Sequence, residues 1–110
     1  MMKDCVVTLY EGNYGINGWR DAKASFSQGC FSLHATEEGE QIEKVYGTEE
    51  SEYVLSLDEE QTERFLQVIM KEEDTPEETI RRELGGEDCV GKFYDLCKQN
   101  SINYKLNFIW

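Results

Sequence analysis

The sequence predicts a single α+β domain, in which an antiparallel or mixed sheet of about four to five strands carries helices packed on one face. Three observations lead to this class. Apolar residues alternate with period two near both ends of the 110-residue chain, helical spacing fills much of the middle, and strand and helix signals are grouped. One domain, 1–110, accounts for the whole chain, because this length is typical of a single core.

Strand signals dominate the first third of the chain. Residues 4–10 are rich in β-branched and apolar side chains and predict a first strand. Residues 11–21 contain three glycines and two asparagines, which accept positive φ at low cost, so they predict a loop. Two short strands are predicted over 23–28 and 30–35.

The pattern then changes twice. Apolar residues at i, i+3 and i+4 before a glycine predict a short helix over 38–46. Residues 52–57 return to period two and predict a strand, with one face formed by Tyr53, Leu55 and Leu57.

Three helices are predicted next. Asp58 is a favourable N-cap with Gln61 three residues later, as in a capping box. Thr75, followed by proline and then glutamate at the third helical position, marks the start of the second helix, which ends at the glycine pair 85–86. The third is predicted over about 88–99.

The last segment, 103–110, alternates strictly and predicts a closing strand. We expect its apolar stripe to face the core from an internal strand, because an exposed apolar edge promotes aggregation. The stripe consists of Tyr104, Leu106, Phe108 and Trp110.

Negative charge is concentrated in the middle of the chain. The net charge is −12, and the segment from Glu37 to Asp88 has 19 acids and 5 bases, a net of −14. Such a block predicts a field that attracts a positively charged protein. It disfavours direct binding of nucleic acid, because phosphates are bound mainly by lysine and arginine.

The acidic block also supplies a candidate interface. We expect its acids to contact basic residues of the partner, with an aromatic residue at the centre, as in many binding hot spots. The predicted contact residues are Glu37, Glu38, Glu40, Tyr46, Glu49, Glu50, Glu52 and Tyr53. Tyr14 and Trp19, in the predicted loop, are either further anchors or covers for the edge of the sheet.

No catalytic or metal-binding motif occurs in the sequence. His34 is the only histidine and lies four residues after Cys30. On an extended strand this separation is about 13 Å, too far for a nucleophile and its base unless a turn intervenes. We therefore predict a protein that is not an enzyme and uses no cofactor or metal.

The sequence also predicts a cytoplasmic protein that does not enter membranes. No stretch approaches the roughly 20 apolar residues that span a bilayer, and the first residues lack the apolar run of a signal peptide. The four cysteines contain no CxxC pair, and we expect them to be reduced thiols.

Apolar and glycine positions recur with a characteristic spacing through Phe31–His34, Gly39–Gly47, Glu52–Leu57 and Phe93–Trp110. In these segments the chain resembles the small, acidic, single-domain bacterial immunity proteins of polymorphic toxin systems. The resemblance implies a high-affinity inhibitor that binds a cognate basic toxin, such as a nuclease, and it assigns no site residue. Two alternatives are a phage-type acidic inhibitor or nucleic-acid mimic aimed at a defence nuclease, and a small enzyme using Cys30 or His34. A structural or homo-oligomeric role is a third, which would require the last strand to lie at a sheet edge.

Overall fold

In the residues that it describes, the computed structural model has a five-stranded antiparallel sheet with three helices on one of its faces, which confirms the predicted α+β class. Residues 4–14, 18–39, 50–71 and 73–109 are described. The strands are β1 (Cys5–Asn13), β2 (Trp19–Ser27), β3 (Cys30–Glu38), β4 (Glu50–Ser56) and β5 (Lys105–Phe108). The helices, all between β4 and β5 in the chain, are α1 (Glu59–Ile69), α2 (Pro76–Leu84) and α3 (Cys89–Gln99).

The strands lie in the sheet in chain order, β1-β2-β3-β4-β5. A two-residue turn joins β2 to β3, with φ of 53° at Gln28 and 79° at Gly29. Positive φ at both positions is the type I′ geometry, whose twist matches that of the flanking strands.

The loop predicted over 11–21 is too long. β1 and β2 still pair within this segment, with Glu11 opposite Asp21 and Asn13 opposite Trp19. The remaining connection is narrow, since the Tyr14 amide donates to the Gly18 carbonyl over 3.0 Å. β1 and β2 satisfy each other's backbone groups here, and this pairing outweighs the turn preference of the local composition.

Residues 40–46 of the helix predicted over 38–46 lie outside the described residues. Its first residue, Glu38, is the last residue of β3.

The core lies between the sheet and the helices. Four buried phenylalanine rings meet at its centre. One of them, that of Phe31 on β3, contacts the other three. Its ring centroid lies 5.4 Å from that of Phe26, 5.3 Å from that of Phe65 and 5.5 Å from that of Phe93. These separations are within the favourable range for aromatic pairs. Phe31 therefore fixes the positions of α1 and α3 on the sheet.

The two helix starts that were predicted from capping residues are confirmed. The Asp58 carboxylate accepts a hydrogen bond from the Gln61 amide at 2.8 Å. Thr75 and Glu78 form a reciprocal capping box, with Pro76 in the first turn of α2. These bonds satisfy amides that the helices themselves leave without partners.

The expectation that the last strand is internal is wrong. Among the described residues β5 pairs only with β4, and all four of its residues are exposed. Leu106 and Phe108 point to the helix-covered side but are 42% and 52% exposed. The helices bury the core residues of β1 to β4, and β5 lies beyond that layer.

No helix within the described ranges is long and apolar enough to cross a membrane. All four cysteines are free thiols, with Cys89 and Cys97 buried and Cys5 and Cys30 half-buried.

Candidate protein-binding face

The second face of the sheet, which we call the open face, carries the side chains that alternate with the core. Strand register places them in rows across β1 to β4. One row is Glu11, Asp21, Thr36 and Glu52, and the next is Asn13, Trp19, Glu38 and Glu50. The two rows bring five carboxylates to one end of the open face. We call this group the acidic end: Glu11, Asp21, Glu38, Glu50 and Glu52.

The acidic end is tightly spaced. Glu38 and Glu50 are directly opposite each other on β3 and β4. Their Cβ atoms are therefore about 5 Å apart, a separation at which like charges destabilise a sheet. The neighbouring row lies about 7 Å farther along the strands.

Two basic side chains lie within this group. Lys23 Nζ is 3.4 Å from Asp21 Oδ2, and His34 Nε2 is 2.6 Å from Glu52 Oε1. Lys23 and His34 are about half exposed, so these contacts neutralise the field only weakly. Among the described residues of this end, the carboxylates outnumber the bases, and the surface stays negative.

Trp19 lies in the same row as Glu38 and Glu50 and is 43% exposed. Tyr14, the other aromatic residue that the sequence singled out, is half-buried, and the Arg20 guanidinium lies 3.6 Å above its ring centroid. Trp19 is thus the exposed aromatic residue of the pair. An exposed indole beside carboxylates can hold an arginine or lysine from a partner, because the ring face attracts cations.

The structure separates the predicted contact residues into three groups. Glu38, Glu50 and Glu52 lie on the open face. Glu37 and Tyr53 point the other way and are buried, with 4% and 5% of their surfaces exposed. The remaining three, Glu40, Tyr46 and Glu49, lie outside the described residues.

Glu37 is the centre of a buried polar network. Its Oε1 atom accepts one hydrogen bond from the Arg20 guanidinium and another, of 2.8 Å, from the Tyr53 hydroxyl. Arg20 also donates from Nη1 to the Glu87 backbone carbonyl at 2.7 Å, which ties β2 to the segment before α3. The network joins the sheet to the helical layer, so Glu37 acts as an internal counter-charge.

The electrostatics of this network follow from its burial. Burial alone would lower the pKa of Arg20, but the Glu37 carboxylate outweighs that effect, and the pKa is raised. Burial, and then the same carboxylate, raise the pKa of Tyr53, so its hydroxyl stays protonated and keeps donating. Both groups therefore hold their charge state over the ordinary pH range.

Two acids of this surface, Glu11 and Asp21, were not predicted from the sequence as contact residues, and Trp19 was predicted as either an anchor or a cover for the edge of the sheet. Glu11, Asp21 and Trp19 fall in the segment that was predicted to be a loop. A strand over Asp21 and Trp19 could have been predicted from alternation. Asp21, Lys23 and Ser25 alternate with Ala22, Ala24 and Phe26, and the pattern continues back to Trp19.

Cys30 and His34 both belong to β3, which pairs with β2 without a register shift. The extended geometry therefore keeps their Cα atoms about 13 Å apart. His34 instead contacts Glu52 on the next strand. Within the described residues no cluster of three or more histidine, cysteine, aspartate or glutamate side chains is arranged to hold a metal ion.

Comparisons of the chain with protein-family models, curated proteins and solved structures found no match.

Proposed function

We propose that this chain is a non-enzymatic binding protein that neutralises a positively charged protein through the acidic end of its open face. The observation that carries the proposal is that five carboxylates and the half-exposed Trp19 lie in two adjacent rows of one sheet. Tryptophan and arginine are enriched among the residues that contribute most to binding, and these residues cluster near the centres of protein interfaces.

The arrangement favours arginine and lysine in the partner. A guanidinium group stacked on Trp19 lies beside Glu38, and carboxylates bind arginine through paired, charge-assisted hydrogen bonds. The acids stand on paired strands rather than on loops, so little conformational freedom is lost when the partner binds.

Two of the acids also act together. Glu38 and Glu50 are opposite each other on β3 and β4, so both carboxylates can attract the same cation of the partner. The net charge of −12 further accelerates the encounter with a basic protein.

A bacterial toxin is the partner that these features fit best, with the chain acting as its immunity protein. Nucleases are the clearest case, because the groove that holds their phosphate-rich substrate is basic. Four free thiols suit the reducing cytoplasm, where we place this interaction.

The test is a pull-down from the source organism at low salt with three versions of the chain. Wild type is compared with Glu38→Lys/Glu50→Lys and with Glu60→Lys/Glu63→Lys, a matched control that makes the same charge change on the exposed side of α1. We expect wild type and the α1 control to capture a basic protein that the open-face variant loses. Raising the salt to about 0.5 M should release it, because screening shortens the range of the attraction to a few ångströms.

The captured protein then decides between the partner classes. A toxin stops growth when expressed alone and does not when this chain is co-expressed, whereas a host defence nuclease would indicate a phage-type inhibitor instead. Equal loss of binding by the two double variants, or binding that salt leaves unchanged, would show that the acidic end is not the interface.

A further inference from the structure

The two edges of the sheet are built differently. At the β1 edge the Gly86 amide donates to the Leu9 carbonyl at 3.0 Å, so the segment after α2 covers part of that edge. At the other edge, no further strand among the described residues pairs with β5. Leu106 is 42% exposed there and Ile109 is 53% exposed.

The direction of the β5 backbone follows from one hydrogen bond. The Ile109 amide donates to the Glu52 carbonyl at 2.8 Å, so it points toward β4. Backbone groups alternate in direction along an antiparallel strand. Those of Lys105 and Asn107 therefore also point toward β4, and those of Leu106 and Phe108 point outward from the sheet.

The charge of β5 indicates which occupant this edge suits. Lys105 is the only charged residue between Gln99 and Ile109, although the chain as a whole carries −12. A basic partner therefore finds its counter-charges at the acidic end and none along β5 itself. A second copy of this chain brings both a non-acidic strand and, behind that strand, the acid Glu52.

We propose that β5 pairs antiparallel with β5 of a second copy, so that the two sheets join into one of ten strands. The two-fold axis passes through Asn107, which places Leu106 opposite Phe108 of the second copy on the helix side. On the open face Lys105 is then opposite Ile109 of the second copy. Glu52 of that copy lies one strand farther, about 10 Å from Lys105 between Cα atoms, within reach of two long side chains.

The proposal does not depend on the identity of a toxin, and salt separates the two interactions. Each copy carries −12, so screening weakens the repulsion between copies and strengthens the dimer. The same screening weakens the attraction of a basic protein to the acidic end.

The test is sedimentation equilibrium of the full chain, from low micromolar concentration upward, at low salt and at about 0.5 M NaCl. We expect a concentration-dependent mass of two chains that is favoured by high salt. Leu106→Lys should weaken the dimer by about tenfold or more, because it puts a charge on each side of the two-fold axis. Val6→Lys is the matched control: Val6 is 66% exposed on β1, and its replacement should leave the dimer intact.

Lys105 supplies a variant that keeps the apolar contact. Lys105→Glu should weaken the dimer while Lys105→Arg retains it, and circular dichroism should show both folded. A chain that stays monomeric at high concentration and high salt, or a dimer that Val6→Lys disrupts as strongly as Leu106→Lys, would overturn the proposal. If a basic partner protects the Leu106 amide from hydrogen exchange in a monomeric chain, the edge belongs to that partner.

Discussion

Substituting Glu37 by Gln keeps the shape of the side chain and removes the negative charge beside Arg20. Arg20 is 5% exposed, so its guanidinium group stays in the interior without a counter-charge. Unit charges about 4 Å apart interact by about 4 kcal/mol at an effective dielectric constant of 20. Removing one partner of a buried pair costs about 3 to 5 kcal/mol. Because Arg20 keeps the Glu87 carbonyl and the Tyr14 ring, we expect the free energy of unfolding to fall by about 3 kcal/mol.

The assay is urea unfolding followed by circular dichroism. The midpoint should fall while its slope with denaturant stays the same, since the surface exposed on unfolding does not change. Glu38→Gln is the matched control, because Glu38 is the next residue and lies exposed on the open face. Its effect should stay within about 0.5 kcal/mol, as for other surface substitutions. Equal midpoint shifts for the two variants would refute the role of Glu37 as the counter-charge of Arg20.

Three further predictions concern stability. Tyr53→Phe removes the 2.8 Å hydrogen bond to Glu37 and should cost about 1.5 to 3 kcal/mol in urea unfolding, as for other bonds to a charged group. Thr75→Ala breaks the capping box with Glu78 and should cost about 1 kcal/mol in the same assay, while Thr75→Ser should retain most of it. Burial raises the pKa of Cys97 from 9.0 to about 11, so its contribution to folding is complete below pH 9 and is lost as pH rises toward 11. Unfolding midpoints should fall over that interval in wild type and fall less in Cys97→Ala; equal slopes would contradict the assignment.

The helices could be predicted because their signals are local. The caps at Asp58 and Thr75 act within three residues, and apolar spacing along the same stretch shows which side of each helix is buried. The caps form in the folded chain as the local sequence indicates, so both starts were predicted correctly.

The assignment of the acids to the two faces of the sheet depended on the length of β3. Phe31, Leu33 and Ala35 face the core, and this alternation places Glu37 inside and Glu38 outside if the strand reaches them. The strand was predicted to end at residue 35, so the two acids were treated alike. Pairing with β2 and β4 extends the strand to Glu38, and such long-range pairing has no signature in the local sequence.

The predicted position of β5, inside the sheet, was wrong for a related reason. Alternation identifies the apolar side of a strand but not how many strands flank it or whether a helix covers it. β5 pairs with β4 across the whole helical segment, and the helices cover the strands that precede it. The apolar stripe was therefore recognised, whereas its exposure was not.

The chain order of the sheet also bears on how the protein folds during its synthesis. β1 to β4 pair with their neighbours in sequence, so they can assemble while the ribosome is still making the helices. β5 must wait until α1 to α3 have emerged, because its only partner among the described strands lies on their far side. During that interval β4 is the outermost strand of the nascent sheet. The nascent chain thus exposes the edge of β4, whereas the finished protein exposes the edge of β5, which completes the sheet.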